Sequence, residues 1–334
     1  MDTEEKRKSI VVIGGGTGAY TLLHGLKRYW NDFYITKIVS MADSGGATGR
    51  LRDEFGQLPV GDARMGLAAL AADVDENDQL LRELLLYRFD KGNGLSGHNF
   101  GNLLLVALTD MLGSEAKAIK AASRILRVRG KVLPVTEDDI QLIATYDDGI
   151  TVKGEHDIDE PKIDRRNNRI VKLSTNKPGR ITADADEAIK SANIIVLGPG
   201  DLYTSLLANC VIDGVSEAIK KSKARFVYVA NLMTRPGQTR GMRVSDCLAE
   251  IELYTGKKPD TVLINTTPLP AEVLKRYETE GDFPTEDDLV NGVEIIRGDF
   301  LSHELVEQKK GDELKRALIR HDGAKLANAI IKLI

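Results

Sequence analysis

Two kinds of hydrophobic spacing alternate along this chain. Compact apolar runs at residues 10–13, 35–41, 193–197, 225–231, 261–264 and 293–296 are bounded by glycine or polar residues, which predicts short strands buried on both faces. Between most of them apolar residues return every three or four positions, over 20–26, 66–72, 79–89, 102–112, 115–126, 205–221 and 322–333, which predicts amphipathic helices. Strands alternating with helices specify an α/β fold, a Rossmann-like, doubly wound, mostly parallel sheet covered by helices. Segment 128–182 departs from this pattern. There, strand-like stretches at 142–146 and 150–153 flank an Asp147-Asp148-Gly149 turn, and 170–173 follows a basic loop, so a small antiparallel β insertion is expected within a single domain spanning 8–334. Glu155, Asp157, Asp159 and Glu160 crowd its turns and read as solvated surface.

Composition narrows the function classes. Hydrophobic residues make up 42% and charged residues 29% of the 334, an ordinary balance for a globular protein. With 5% aromatic residues and a net charge of −4, base-stacking surfaces and nucleic-acid partners are not expected. The first eight residues are polar, without the apolar core of a signal peptide, and no apolar run is long enough to span a bilayer, so a cytoplasmic location is expected. Cys210 and Cys247 are too few and too far apart for a zinc framework and read as core thiols.

The chemistry concentrates at strand ends. The first strand runs into Gly14-Gly15-Gly16-Thr17-Gly18 and then a helix; such a turn lets backbone amides at the positive end of the helix dipole approach an anion. The second strand ends in Asp43-Ser44-Gly45-Gly46-Ala47-Thr48-Gly49, followed by Arg50, Arg52 and Arg64, whose guanidinium groups suit phosphate oxygens or surface ion pairs. Two such turns predict one ligand crevice at the carboxyl ends of the strands, for a nucleotide or a phosphorylated sugar. Asp62 suits a helix N-cap or, with Asp43, a Mg²⁺ site.

Three further segments contribute to the expected rim. The glycine-rich loop at 92–102 reads as ligand-facing; His98 there is either a structural hydrogen-bonder or a phosphate donor, and Asn102 either a ligand contact or a helix cap, beside Asn99. A third strand-to-helix turn carries Gly198, Gly200, Asp201 and Tyr203; a carboxylate at that helix start disfavours a bare phosphate and suits a cap, a base or sugar hydroxyl, or a bridging metal. The loop with Asn231, Thr234 and Arg235 offers amide, hydroxyl and guanidinium groups. Walker-type phosphate loops, serine-hydrolase elbows and zinc-protease helices are absent from the sequence.

The ordered set of Gly14 to Gly18, 45–52, Gly61-Asp62-Ala63-Arg64, Tyr87-Arg88-Phe89, 97–102, 128–134, Gly198-Pro199-Gly200 with 202–205, 233–237 and Arg320-His321-Asp322 resembles the YvcK family of gluconeogenesis factors, related to the CofD-like 2-phospho-L-lactate transferases. The resemblance implies a CofD-like fold. It implies a binder of a UDP-N-acetylglucosamine-type nucleotide sugar, linked to cell shape and wall synthesis on gluconeogenic carbon sources and signalling to an unidentified protein partner. A homo-oligomer is compatible with it. The transferase relatives imply a second reading, a Mg²⁺-dependent transferase acting on a diphosphate-activated substrate. NAD-dependent oxidoreduction is a third, resting on the spacing of Gly14, Gly16 and Ala19 and on Asp43 near the place of a ribose-binding acid. The chain departs from the family pattern at Ser44, Asp201, Ala208 and Gly323, where aspartate, serine, proline and proline are usual.

Overall fold

The computed structural model describes residues 7–42, 60–92, 94–161, 163–303 and 318–334. In chain order, β1 (Lys8–Ile13) leads through the first glycine turn into α1 (Gly16–Leu26), and β2 (Phe33–Val39) follows. Helices α2 (Gly61–Leu70), α3 (Glu76–Leu86), α4 (Phe100–Leu112) and α5 (Glu115–Ile125) precede β3 (Lys131–Pro134). The antiparallel strands β4 (Leu142–Tyr146), β5 (Thr151–Lys153) and β6 (Ile170–Thr175) enclose the short helix α6 (Glu155–Asp159). Then come α7 (Ala183–Ser191), β7 (Ile194–Leu197), a π-helical turn (Leu202–Leu207), α8 (Val215–Lys221), β8 (Arg225–Val229), α9 (Val244–Thr255), β9 (Thr261–Asn265), α10 (Ala271–Glu280), β10 (Glu294–Gly298) and α11 (Gly323–Ile331).

The larger sheet has seven strands in the order β10-β9-β8-β7-β1-β2-β3, all parallel where paired. From β1 the chain winds outward through β2 and β3, then returns to lay β7 on the other side of β1. That reversal between β1 and β7 is the topological switch point, where neighbouring loops splay apart and leave a crevice. The expected doubly wound α/β sheet with a small antiparallel companion, β5-β4-β6, is what the chain forms.

Alternation along the strands builds a core on each face. Ile10 and Val12 of β1, with Ile194 and Val196 of β7, pack under α1, α2, α4, α5 and α11, while Val11 and Ile13, with Ile195 and Leu197, face the antiparallel sheet, α7, α8 and α9. One expectation requires correction: the β-rich segment of 128–182 is divided. Lys131–Pro134 pairs with β2 as the edge of the parallel sheet, and the antiparallel sheet begins at Leu142. Pro134 ends this strand without penalty because an edge position leaves the missing N–H without a ladder partner to satisfy. The helix expected over 205–221 is likewise interrupted, at Gly214, whose φ of 98° marks a turn before α8.

Helices α1 and α11 cross at two glycines. A Cβ on Gly25 would lie 2.0 Å from the Gly323 carbonyl oxygen, and one on Gly323 would lie 2.0 Å from the Thr21 carbonyl oxygen. Both obstacles are backbone, so neither can swing aside. Gly25→Ala is therefore expected to destabilise the protein by about 3 kcal/mol through forced separation of the helices, measured as a lower midpoint of urea unfolding. Asp322 caps α11 by accepting from the amides of Ala324 and Lys325 at 2.8 and 3.0 Å, which fixes His321 just ahead of the helix.

Candidate functional site

The carboxyl ends of the central strands surround a cavity of about 420 Å³, within the range of about 300–1,000 Å³ usual for small-ligand sites. The turn after β1 and the first turn of α1 contribute Gly15, Gly16, Thr17 and Gly18; the residue after β2 is Ser40; the loop after β7 contributes Gly200 and Asp201; the loop after β8 contributes Asn231, Thr234 and Arg235. Asp62, Arg64 and Asn102 complete the side nearest α2 and α4. These sequence-predicted residues converge because parallel strands all present the same end to one crevice.

The first glycine turn is not an empty anion cradle. Helix α1 has no side-chain cap of its own from Gly15, and the Gly16 amide donates instead to Asp62 Oδ1 at 2.7 Å. A Cβ on Gly15 would lie 2.0 Å from Asp62 Oδ2, so only glycine lets the carboxylate sit against this backbone. Asp62 is not the N-cap of α2, a position held by Val60, but caps α1 from 46 residues away. Beneath it, fully buried Lys37 donates from Nζ to the Asp62 carbonyl oxygen at 3.0 Å. Burial pulls the Lys37 ammonium down to about 8 against the opposing pull of Asp62. Arg64 donates from Nε to Asn102 Oδ1 at 2.8 Å, so Asn102 orients a guanidinium at the rim.

A second charged cluster occupies the opposite wall. Burial and the Asp159 carboxylate push Asp201 up, while Arg235 pulls it down. Burial opposes the Arg235 charge, but Asp201, Asp159 and Asp282 more than offset it and hold the guanidinium protonated. Asp159 itself accepts from Thr204 Oγ1 at 2.8 Å and Gln238 Nε2 at 2.6 Å, and its carbonyl oxygen from Arg235 at 3.3 Å. Glu155, Asp159 and Glu160 line the cavity, which corrects their reading as solvated surface: α6, between β5 and β6, packs against the π-helical turn that follows β7. The substitution to Asp201 thus places a carboxylate beside an arginine, not at an isolated helix start.

Several expected ligand residues lie elsewhere. Tyr203 is 1% exposed and donates to the Ile170 carbonyl oxygen at 3.0 Å, so it belongs to the core beneath the antiparallel sheet. Asn99 is the N-cap of α4, accepting from the Gly101 amide at 2.9 Å and donating to the Leu86 carbonyl oxygen at 3.0 Å. His98 is buried beside it and away from the cavity lining. The loop at 92–102 turns back through a bridge between Arg88 and Asn99, which directs Arg88 and Asn102, not His98, into the cavity. Gly14 and Gly198, with φ of 147° and 92°, shape the two central turns from behind. Asp43, Ser44, Gly45, Gly46 and Arg50 lie outside the described residues, and among the described residues no group of three or more His, Cys, Asp or Glu could hold a metal ion.

The sequence reading also missed His321 as a site residue. It lines the cavity. Burial pulls it down to about 4, as it does for His24 in α1. The folded state keeps these rings neutral, whereas the unfolded chain protonates them near 6.5, so stability falls as pH drops from 6.5 to 4 and levels off below. The His321 share of that loss is about 3 kcal/mol. His321→Asn should flatten this acid limb in unfolding experiments at graded pH.

A family profile described as "2-phospho-L-lactate transferase CofD" matches residues 10–301. The chain belongs to the CofD family. Within the family it aligns with the gluconeogenesis factors. A homologue from Thermotoga maritima is 43% identical over 97% of this chain and 98% of its own length. The "Gluconeogenesis factor" of Bacillus subtilis is 37% identical, covering 98% of this chain and 99% of its own. The crystal structure of protein BH3568 from Bacillus halodurans superposes with a TM-score of 0.86 at 38% identity, over 98% of this chain and all of that one. Among the described residues of this CofD-family chain, no helix is long and apolar enough to cross a membrane.

Proposed function

We propose that the cavity binds a nucleotide sugar of the UDP-N-acetylglucosamine class and that the protein is a regulator coupling the supply of this compound to gluconeogenic growth and wall synthesis. The observation that carries this reading is the meeting of the β1 and β7 glycine turns at the switch point, around a cavity of about 420 Å³. Nucleotide diphosphates favour such crevices because backbone amides and a helix start face the phosphates. Arg64 and Arg88 add cationic groups at the same end. The names of the gluconeogenesis-factor relatives support the gluconeogenic part of the proposal; a cytoplasmic setting and a protein partner that receives the signal complete it.

Asp62 favours a second reading, a Mg²⁺-dependent transferase. One of its oxygens takes the Gly16 amide, and the carboxylate sits where diphosphate oxygens would approach. Such a group suits a Mg²⁺ held by one or two carboxylates together with substrate phosphates, here Asp62 with Asp43. In that case the ion would neutralise charge on the leaving diphosphate.

Asp62→Asn separates the two. The amide retains an acceptor for Gly16 and removes the charge facing the diphosphate. The regulator reading expects UDP-N-acetylglucosamine binding without added metal to be retained or strengthened by about tenfold, one charge-assisted contact's worth. A loss of all binding, restored by no concentration of Mg²⁺, supports the transferase reading instead.

A further inference from the structure

The cavity wall is not uniform in what it asks of a ligand. It holds donors in the guanidinium groups of Arg64 and Arg88 and in the start of α1, whose Gly16 amide is already taken by Asp62. After β8 and just ahead of α11 it offers acceptors that have no donor. Asn231 spends its Nδ2 on the Gly200 carbonyl oxygen at 2.9 Å, and its Oδ1 is buried without a partner. His321 is 7% exposed, and its Nε2 is likewise buried without a partner. A neutral ring with its proton on Nδ1 presents a lone pair on Nε2.

An unpaired buried acceptor is costly, and two on one cavity wall demand donors from whatever fills the cavity. The donors cannot come from a phosphate, which carries only acceptors at neutral pH. We propose that Asn231 Oδ1 and His321 Nε2 form an acceptor pair that receives hydrogen bonds from the neutral, donor-bearing part of the ligand and thereby selects its identity. Such donors in a nucleotide sugar are the hydroxyl groups of the ribose, the hydroxyls and acetamide N–H of the hexose, and the N–H of the base. The inference rests on the nucleotide-sugar reading of the cavity and places the ligand's hydroxyls or base against Asn231 and His321.

The test varies ligand and protein together by titration calorimetry, with thermal unfolding as a check that each variant is folded. UDP-N-acetylglucosamine and UDP are compared with 2′-deoxy-UDP, 3′-deoxy-UDP and N3-methyl-UDP, on the wild type, His321→Phe and Asn231→Ala. Removing the donor that meets the pair is expected to weaken wild-type binding by about 10- to 100-fold. The same ligand change should cost less than about threefold in the variant lacking its acceptor. Sensitivity to a deoxy ligand identifies a ribose hydroxyl, sensitivity to N3-methylation identifies the base, and loss of the variants' preference for UDP-N-acetylglucosamine over UDP identifies the hexose. If each ligand change costs the same in wild type and variants, the acceptor pair is overturned while nucleotide-sugar binding stands. If the wild type prefers GDP, the proposed function falls, and 2′-deoxy-GDP and N1-methyl-GDP test the pair in the same way. A wild type that binds none of these compounds overturns both.

Discussion

Alanine at Gly18 is expected to weaken UDP-N-acetylglucosamine binding by about 100-fold, the scale on which an ångström of misplacement acts in a preorganised site. A Cβ there would lie 2.5 Å from the Pro199 carbonyl oxygen and 3.1 Å from the Gly200 amide nitrogen. These are backbone atoms of the turn after β7, so relief requires moving one glycine turn away from the other. Both turns line the cavity, and their separation changes its shape at the phosphate end. The fold should lose only about 1–3 kcal/mol, because the strands and helices behind the turns keep their contacts. Calorimetric titration beside urea unfolding checks both halves. Wild-type affinity in a destabilised variant would contradict the account.

Replacing Arg235 with methionine is expected to lower stability by about 3 kcal/mol at neutral pH, as breaking an enclosed charge cluster does. Arg235 is the cation that Asp201, Asp159 and Asp282 share. Without it, Asp201 keeps its burial and its repulsion from Asp159 and loses the one opposing influence. A carboxyl whose folded value is raised above its unfolded value of 3.8 costs stability at every higher pH, and the cost disappears as pH falls through the folded value. The variant and wild-type stability curves should therefore lie furthest apart above the carboxylate range and converge toward pH 4. Parallel curves would place the effect of Arg235 in packing, not charge.

The strands that build the site announced themselves in sequence because a buried parallel strand must be apolar on both faces, as in Ile10 to Ile13 and Ile194 to Leu197. The glycine turns were legible for a similar reason: Gly14, Gly16 and Gly198 adopt positive φ that other residues avoid. What the sequence concealed were partnerships between distant segments. Asp62 is local to α2 by sequence and caps α1 by position. Asp159 reads as one of several surface acids until Gln238, 79 residues away, and Thr204 are seen to hold it. Tyr203 and Asn99 follow strand-end and loop signals that suit ligand binding, yet tertiary contacts draw both side chains inward. For His321 the only sequence signal was the Arg320-His321-Asp322 motif, in which Asp322 as a helix cap explains itself and the histidine does not.

The central claim is that one crevice between β1 and β7 holds a uridine diphosphate sugar. Titrating the wild-type protein with UDP-N-acetylglucosamine, with and without Mg²⁺ and against UDP-glucose, GDP and NAD as competitors, tests it most directly. The account predicts one site per chain, saturable without metal and displaced by UDP-glucose more readily than by GDP or NAD. Binding that requires Mg²⁺ and favours GDP, or no heat with any uridine compound at several temperatures, would contradict it.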